Sequence, residues 1–430
     1  MSRLAVLGVI LGVGAAGACG GDVQKIVLLP PPVTLSIVAG DGQSANVRHS
    51  LSNPLTIVAS TPDGAVVPGV SVDWTVTSGG GTLSASSVTT DAQGRASVVW
   101  TLGGVAGDQS VTASGPTIVG SPTKFSATAG APIVLHYDGT SWSTALEDLN
   151  GALISFASIW GTSGSAVFAA GKSCAGPLAL QYDGSHWGQL PASCPGNDPN
   201  QLTSVWGSSP VDLFATHRIG IPPHLGGSVD HYDGQNWSTS YSPPCGGTGI
   251  LCPSPQAIWS SSPTDVLAVG DGGMIVHYDG TSWTPLQSGT TQPLAGVWGA
   301  GAGSAVFAVG AGGTILNYDG TTWRAQASGT TQSLNAVWGT SVNDVFAVGS
   351  SGTILHYDGT SWTAQVSGST QVLNGVWGSS GASVFAVGNA STILHFDGTT
   401  WTAQTTAADM NLRGVWGNST TSVFAVGVPR

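Results

Sequence analysis

SLNAVWGTSVNDVFAVGSSGTILHYDGTSWTAQ, residues 333–365, is one copy of a repeat. Its two signatures recur along the chain. An aromatic-Asp-Gly motif appears at Asp138, Asp183, Asp233, Asp279, Asp319, Asp358 and Asp397, each with a tryptophan four residues later. A [VI]-W-[GS] motif appears at Trp160, Trp206, Trp259, Trp298, Trp338, Trp377 and Trp416. Together they account for 14 of the 16 tryptophans, so the repeat governs almost every indole. In the clean copies the period is 39–40 residues, the length of a four-stranded propeller blade.

The repeat region opens at residue 132 with the third and fourth strands of a unit, IVLHYDG and SWST, and closes with the first two, LRGVWG and SVFAVG. Joining the ends makes one more blade from 2+2 strands and leaves no free sheet edge. The expected fold is therefore all-β, with a seven-bladed β-propeller over residues 132–430. Composition agrees: 64 glycines and only 7% charged residues suit short strands and tight turns. They do not suit helices with Glu/Lys faces. A net charge of −12 offers nothing to a phosphate backbone, so nucleic acid is not an expected partner.

Upstream, residues 33–131 hold short alternating runs (LTIVAST, VSVDWTVTS, ASVVWTL, QSVTASG) divided by turn residues. About seven strands in about 100 residues read as an immunoglobulin-like sandwich. It lacks the usual disulfide, so Trp74 and Trp100 must fill its core. The run from Val67 to Trp74, then Gly79-Gly80-Gly81-Thr82-Leu83, Thr90-Asp91 and Trp100-Thr101-Leu102-Gly103, resembles the group 1 bacterial immunoglobulin-like domain of invasin- and intimin-type adhesins. The resemblance implies a spacer that holds a binding head away from a membrane. Ala129-Gly130-Ala131-Pro132 reads as a short linker between the two domains.

Residues 1–18 carry one arginine and then a small apolar run, the plan of a secretory signal and too short for a membrane span. Ala16-Gly17-Ala18-Cys19 resembles the bacterial lipobox, with Ala16 where leucine is usual; that resemblance implies lipidation of Cys19. Residues 19–32 would be the tether, ending in Pro30-Pro31-Pro32. Asp22 is not adjacent to Cys19, which favours export to the outer membrane. The other cysteines (Cys174, Cys194, Cys245 and Cys252) read as two disulfides. Cys245–Cys252 with Cys174–Cys194 is the favoured pairing of three, and zinc is the rival reading.

Each Asp-Gly is read as a two-residue type I′ hairpin turn, with positive φ at both residues. YDGTSW also resembles the sialidase Asp-box, itself a structural turn, with one residue missing. Five histidines (His136, His231, His277, His356 and His395) precede the aromatic residue of the motif, and Asp212, Asp265 and Asp344 recur before the second strand as turn caps. The tryptophan-rich blades loosely resemble tectonin and tachylectin-type lectins, which implies sugar binding between blades. Packing is the alternative use of the same rings.

Four insertions break the repeat, all in its first two units: 172–177, 191–201, 217–228 and 242–255. Alternate connections of a meander leave on the same side, so all four should project from one face. His217 stands where every other unit has the glycine that ends its second strand, and Arg218 and His224 follow in the same insertion. The candidate ligand site is this crest: His217, Arg218, His224, Asp198 and Asn197, braced by disulfides. No phosphate loop, HExxH, GxSxG or calcium-loop spacing occurs, so no enzyme activity, metal or cofactor is expected. The expected function is non-enzymatic adhesion or recognition by a surface lipoprotein, with a protein or glycan of the envelope or surroundings as partner. The alternatives are a lectin head, an envelope assembly scaffold and a propeller hydrolase.

Overall fold

A computed structural model describes residues 33–115, 118–119, 122–148, 154–173, 176–191, 201–221, 224–244, 252–301 and 305–430. The described chain is almost wholly antiparallel strand, with three single-turn 3₁₀ segments. The N-terminal strands form two larger sheets and a two-stranded one, Gly81–Leu83 with Trp100–Leu102. Thr34–Ala39, Leu55–Ser60 and Arg95–Val98 make one; Ser87–Thr89, Ser71–Ser78, Gly107–Ser114 and Thr123–Tyr137 make the other, with Gln43–Asn46 added in parallel. Alternation in Leu55–Ser60 and Ser71–Ser78 turns one side of each strand inward. The inward residues (Leu55, Ile57, Val72, Val98, Val111, Phe125) close round Trp74 and Trp100, as the missing disulfide requires. Trp74 meets Phe125 with ring centroids 5.6 Å apart.

Six four-stranded sheets follow in chain order, spanning 155–189, 201–241, 255–286, 294–326, 334–365 and 373–404, here sheets I to VI. The two ends supply another four-strand set. Met410–Ser419 pairs with Ser422–Pro429, which pairs with Thr123–Tyr137, which pairs with Trp142–Asp148. The join places Leu135 opposite Ala425 and Tyr137 opposite Val423. This closing sheet completes a circuit. The first strand of each sheet lies against that of the next, and Met410–Ser419 lies against both Leu373–Ser380 and Ser155–Ser163.

Residues 129–132, read as a linker, are instead the middle of the strand Thr123–Tyr137. Its first half pairs with Gly107–Ser114, and its second half with the closing sheet. Apolar residues at Phe125, Ala127, Ile133 and Leu135 give the strand buried side chains along its whole length, so the chain has no reason to leave extended structure. Arg48 is also ion-paired with Asp409, whose other oxygen lies 3.5 Å from Arg430. The two parts are thus joined by a continuous strand and a charged contact.

Both tryptophans of the repeat lie in the seams between sheets. Trp338 packs on Gly378 of the next sheet, where a Cβ would come within 2.7 Å of the indole, so the glycine after the tryptophan makes room for the neighbouring indole. The fourth-strand tryptophan meets the preceding sheet's phenylalanine edge-on: Trp362 with Phe307, Trp401 with Phe346, Trp142 with Phe385. Truncating one such buried ring costs about 3–5 kcal/mol. The glycine ending the second strand has another cause. A Cβ on Gly349 would stand 2.0 Å from the Ser333 carbonyl oxygen, where the connection from the previous sheet crosses it.

Candidate functional site

The aromatic-Asp-Gly turn differs from the expected two-residue form. Tyr357 pairs directly with Trp362, so the loop has four residues, Asp358 to Ser361. Only its glycine takes positive φ, 92° at Gly359. The aspartate works through its side chain: Asp358 Oδ1 accepts from the Thr360 and Ser361 backbone N–H groups and from the Thr360 hydroxyl, at 2.6–2.9 Å. A charged acceptor held by three donors replaces the dihedral demands of a type I′ turn. The hydroxyl two residues on and the two amides hold the carboxyls of Asp138, Asp279, Asp358 and Asp397 at about 2. Asp183, led by the His186 amide, is also held at about 2. Asp233, with Gln235 in place of the hydroxyl residue, is lowered chiefly by the Asn236 and Gln235 amides.

The recurrent histidines and aspartates find one another. Nε2–H of His231, His277 and His356 donates to Asp212, Asp265 and Asp344 at 2.6, 2.7 and 2.8 Å. His136 and His395 meet Ser422 and Ser383 at 3.2 and 3.1 Å. In the two sheets where the histidine is replaced, by Gln181 and Asn317, the partner position is Ala166 or Ala305. The two positions therefore change together within one chain. The aspartates, read as turn caps, are the acceptors of these bonds, and the histidines stack on phenylalanine, as His356 does on Phe346 at 4.4 Å. Burial pulls His136 and His395 below the ordinary histidine value, against the opposing charge of Asp138 and Asp397. Among the described residues no three His, Cys, Asp or Glu side chains gather as metal ligands.

The proposed crest is only partly described. Asn197, Asp198, Cys19, Cys174, Cys194 and Cys245 lie outside the described residues. Cys252 is disulfide-bonded and stands against Gly226. The 217–228 insertion, read as a loop, is a hairpin extension: Asp212–Ile221 pairs with His224–Tyr232 out to Ile221 opposite His224. Arg218 is exposed on it. His217 is not offered to solvent; it is 2% exposed, and its Nδ1 lies 3.2 Å from Asp230, also 2% exposed. Ser228 donates to the other Asp230 oxygen at 3.0 Å.

Asp230, which the sequence reading passed over, occupies a position held by leucine or valine in the other units, so glycine-to-histidine and leucine-to-aspartate changes occur together. His217 Nε2 and Ser254 Oγ are buried without a hydrogen-bond partner.

Two of the molecule's openings bear on the site. The first strands enclose an axial cavity of about 180 Å³, walled by the residues just before each [VI]-W motif. Its mouth lies where first strands begin and second strands end, the side from which the 217–228 hairpin and the N-terminal strands extend. A second cavity of about 540 Å³ lies between the closing sheet and sheet I, lined by His136, Tyr182, Ser185, His186, Trp187 and Phe424.

No protein-family model matches the chain. No curated protein matches it either. Among solved structures it is similar to YCF48 bound to D1 peptide, at TM-score 0.50 and 15% identity, covering 64% of this chain and 94% of that one. It is similar to the WD40 β-propeller domain of Doa1, at TM-score 0.51 and 10% identity, covering 64% and 90%. YCF48 from Cyanidioschyzon merolae matches at TM-score 0.48 and 14% identity, covering 64% and 96%. With the repeated four-stranded sheets already described, the similarity at TM-scores of 0.50 and 0.51 makes the repeat region a β-propeller.

Proposed function

We propose that the chain is a non-enzymatic recognition protein of the bacterial surface: a lipid on Cys19, residues 33–131 as an immunoglobulin-like spacer, and residues 132–430 as a seven-bladed head that binds a protein partner. The circuit of first strands and the 2+2 closing sheet support the blade count. The sheets packed round Trp74 and Trp100 support the spacer. The observation that carries the function is that the axial mouth shares one face with the 217–228 hairpin, where the chain departs from its repeat. The recurrent aspartates and histidines are meanwhile spent on turns and strand-to-strand bonds, which leaves no repeated catalytic set. A solved propeller of similar fold carries a bound peptide, the kind of partner this reading expects.

The cavity beside Trp187 favours a second reading, a carbohydrate-binding head. It combines aromatic walls (Tyr182, Trp187) with hydroxyl and imidazole groups, and the Trp187 Nε1 proton is buried without an acceptor. Incubating the full chain with an array of envelope proteins, a glycan array and a hydrolase panel separates the readings. Protein capture weakened by trimming the hairpin is expected. Sugar-dependent retention that survives trimming would establish the second reading, and turnover of any substrate would overturn both.

A further inference from the structure

The repeats differ from one another at a position of the first strand that lines the axis. In every first strand the ladder slips by one residue, as between Leu334 and Ala336 or between Leu412 and Gly414. The residue inserted by the slip is Ala157, Thr203, Gln256, Ala295, Asn335, Asn374 or Arg413, and all seven line the axial cavity. A bulge re-aims a side chain that a regular ladder would commit to one face of the sheet. The flanking valine, isoleucine and tryptophan positions are fixed by packing in the seams. The bulge position is free of that constraint, and it is where the repeats vary.

The ring has no acidic member, although Asp+Glu outnumber Lys+Arg by 22 to 10 in the chain. Most of its polar groups are already engaged. Asn335 and Asn374 donate to the Leu373 and Leu412 carbonyls of the next sheet at 2.8 and 2.7 Å, and the Thr203 hydroxyl meets Thr216. The Gln256 amide donates at 3.3 Å to Asp271. Arg413 differs: it is exposed and makes no hydrogen bond or ion pair with the described residues. Its neighbour round the ring is Ala157, whose methyl leaves the guanidinium room.

We infer that the axial cavity is a carboxylate-recognition site, in which Arg413 receives an acidic side chain from an extended segment of the protein partner. This rests on the protein-binding reading above. A planar guanidinium on a ring with no acidic member is matched to a carboxylate. A cavity of about 180 Å³ takes one side chain, and it opens on the face from which the N-terminal strands extend.

The test exposes the full chain to a bead library of acetylated heptapeptides, half with amidated and half with free C-termini. Peptides containing Asp or Glu are expected to be enriched in the amidated half. R413Q should weaken the best of them about tenfold or more, the loss expected for a charged hydrogen-bonded pair. Replacing its acid by the amide should weaken binding equally, without adding to the R413Q loss. R324Q, an exposed arginine away from the axis, should leave binding unchanged. The R413Q thermal midpoint should match wild type, since Arg413 makes no hydrogen bond or ion pair among the described residues. Enrichment confined to free C-termini would overturn the side-chain assignment. Peptides held equally by R413Q would overturn the axial site and leave the protein-binding reading standing, whereas capture of no peptide would overturn both.

Discussion

The seams contain an internal experiment in hydrogen bonding. Trp362 Nε1 donates to Gln326 Oε1 of the preceding sheet at 2.7 Å, and Trp142 Nε1 donates to Gln404 at 2.6 Å. Trp283 uses Ser240 at the same position. Where that position is Ala145, Leu190 or Leu286, the indoles of Trp187, Trp237 and Trp323 are buried without a partner. Trp401 departs from the pattern, because it faces Gln365 without bonding to it. Gln326→Leu would leave the Trp362 N–H, on a residue 9% exposed, without an acceptor, at a cost of about 1–2 kcal/mol after the leucine's own packing. Leu286→Gln would give Trp323 the acceptor it lacks and stabilise by about 0.5–1 kcal/mol. Urea unfolding of the full chain, followed by tryptophan fluorescence, reads both as shifts of the midpoint at constant slope. Repeating Gln326→Leu in a Trp362→Phe background isolates the bond, since that ring has no N–H to orphan. If the substitution costs as much there as in wild type, the hydrogen bond is not the cause and the reasoning fails.

Two further outcomes follow from the site. The turn carboxylates at Asp138, Asp183, Asp279, Asp358 and Asp397 are held at about 2, below the ordinary value of 3.8, so the unfolded chain binds more protons between those values. Thermal midpoints should therefore fall as pH drops from about 4 to about 2, and a flat profile there would contradict the turn chemistry. His217→Ala should cost about 3–5 kcal/mol, because it strands Asp230 in the interior. His217→Gly with Asp230→Leu, which restores the repeat residues at both positions, should recover most of that loss in the same thermal assay.

The sequence made the blades legible because each repeated residue answers to a local or nearest-neighbour demand. Trp338 needs Gly378, Gly349 makes way for Ser333, and Asp358 caps its own loop. What it concealed depended on neighbours distant in the chain. The Asp-Gly pair suggests a type I′ turn until the carboxylate is seen to accept amides two and three residues on. His217 looked like a loop residue because the glycine it replaces ends a strand elsewhere. The additional aspartate in SVDHYDG, residues 228–234, against TILHYDG, residues 353–359, was the available sign of its buried partner. The bulge ring was visible as a variable column, but only the packing shows that first strands are innermost. The residues at 129–132 have linker composition, and their burial comes from strands on both sides that no local pattern announces.

The functional reading depends on the ring being closed by the chain's two ends, because closure creates the axis and fixes one face. Leu135 and Ala425 are opposite partners across that join, both fully buried. Opposed residues of an antiparallel pair lie within reach of a disulfide, whereas strands that do not meet cannot be bridged. The measurement is oxidation of the Leu135→Cys, Ala425→Cys double variant, followed by peptide mapping without reduction. The account predicts a single new cross-linked peptide joining the two introduced cysteines. Free thiols at both positions, or pairing of either with another cysteine, would show that the ends do not meet, and would contradict it.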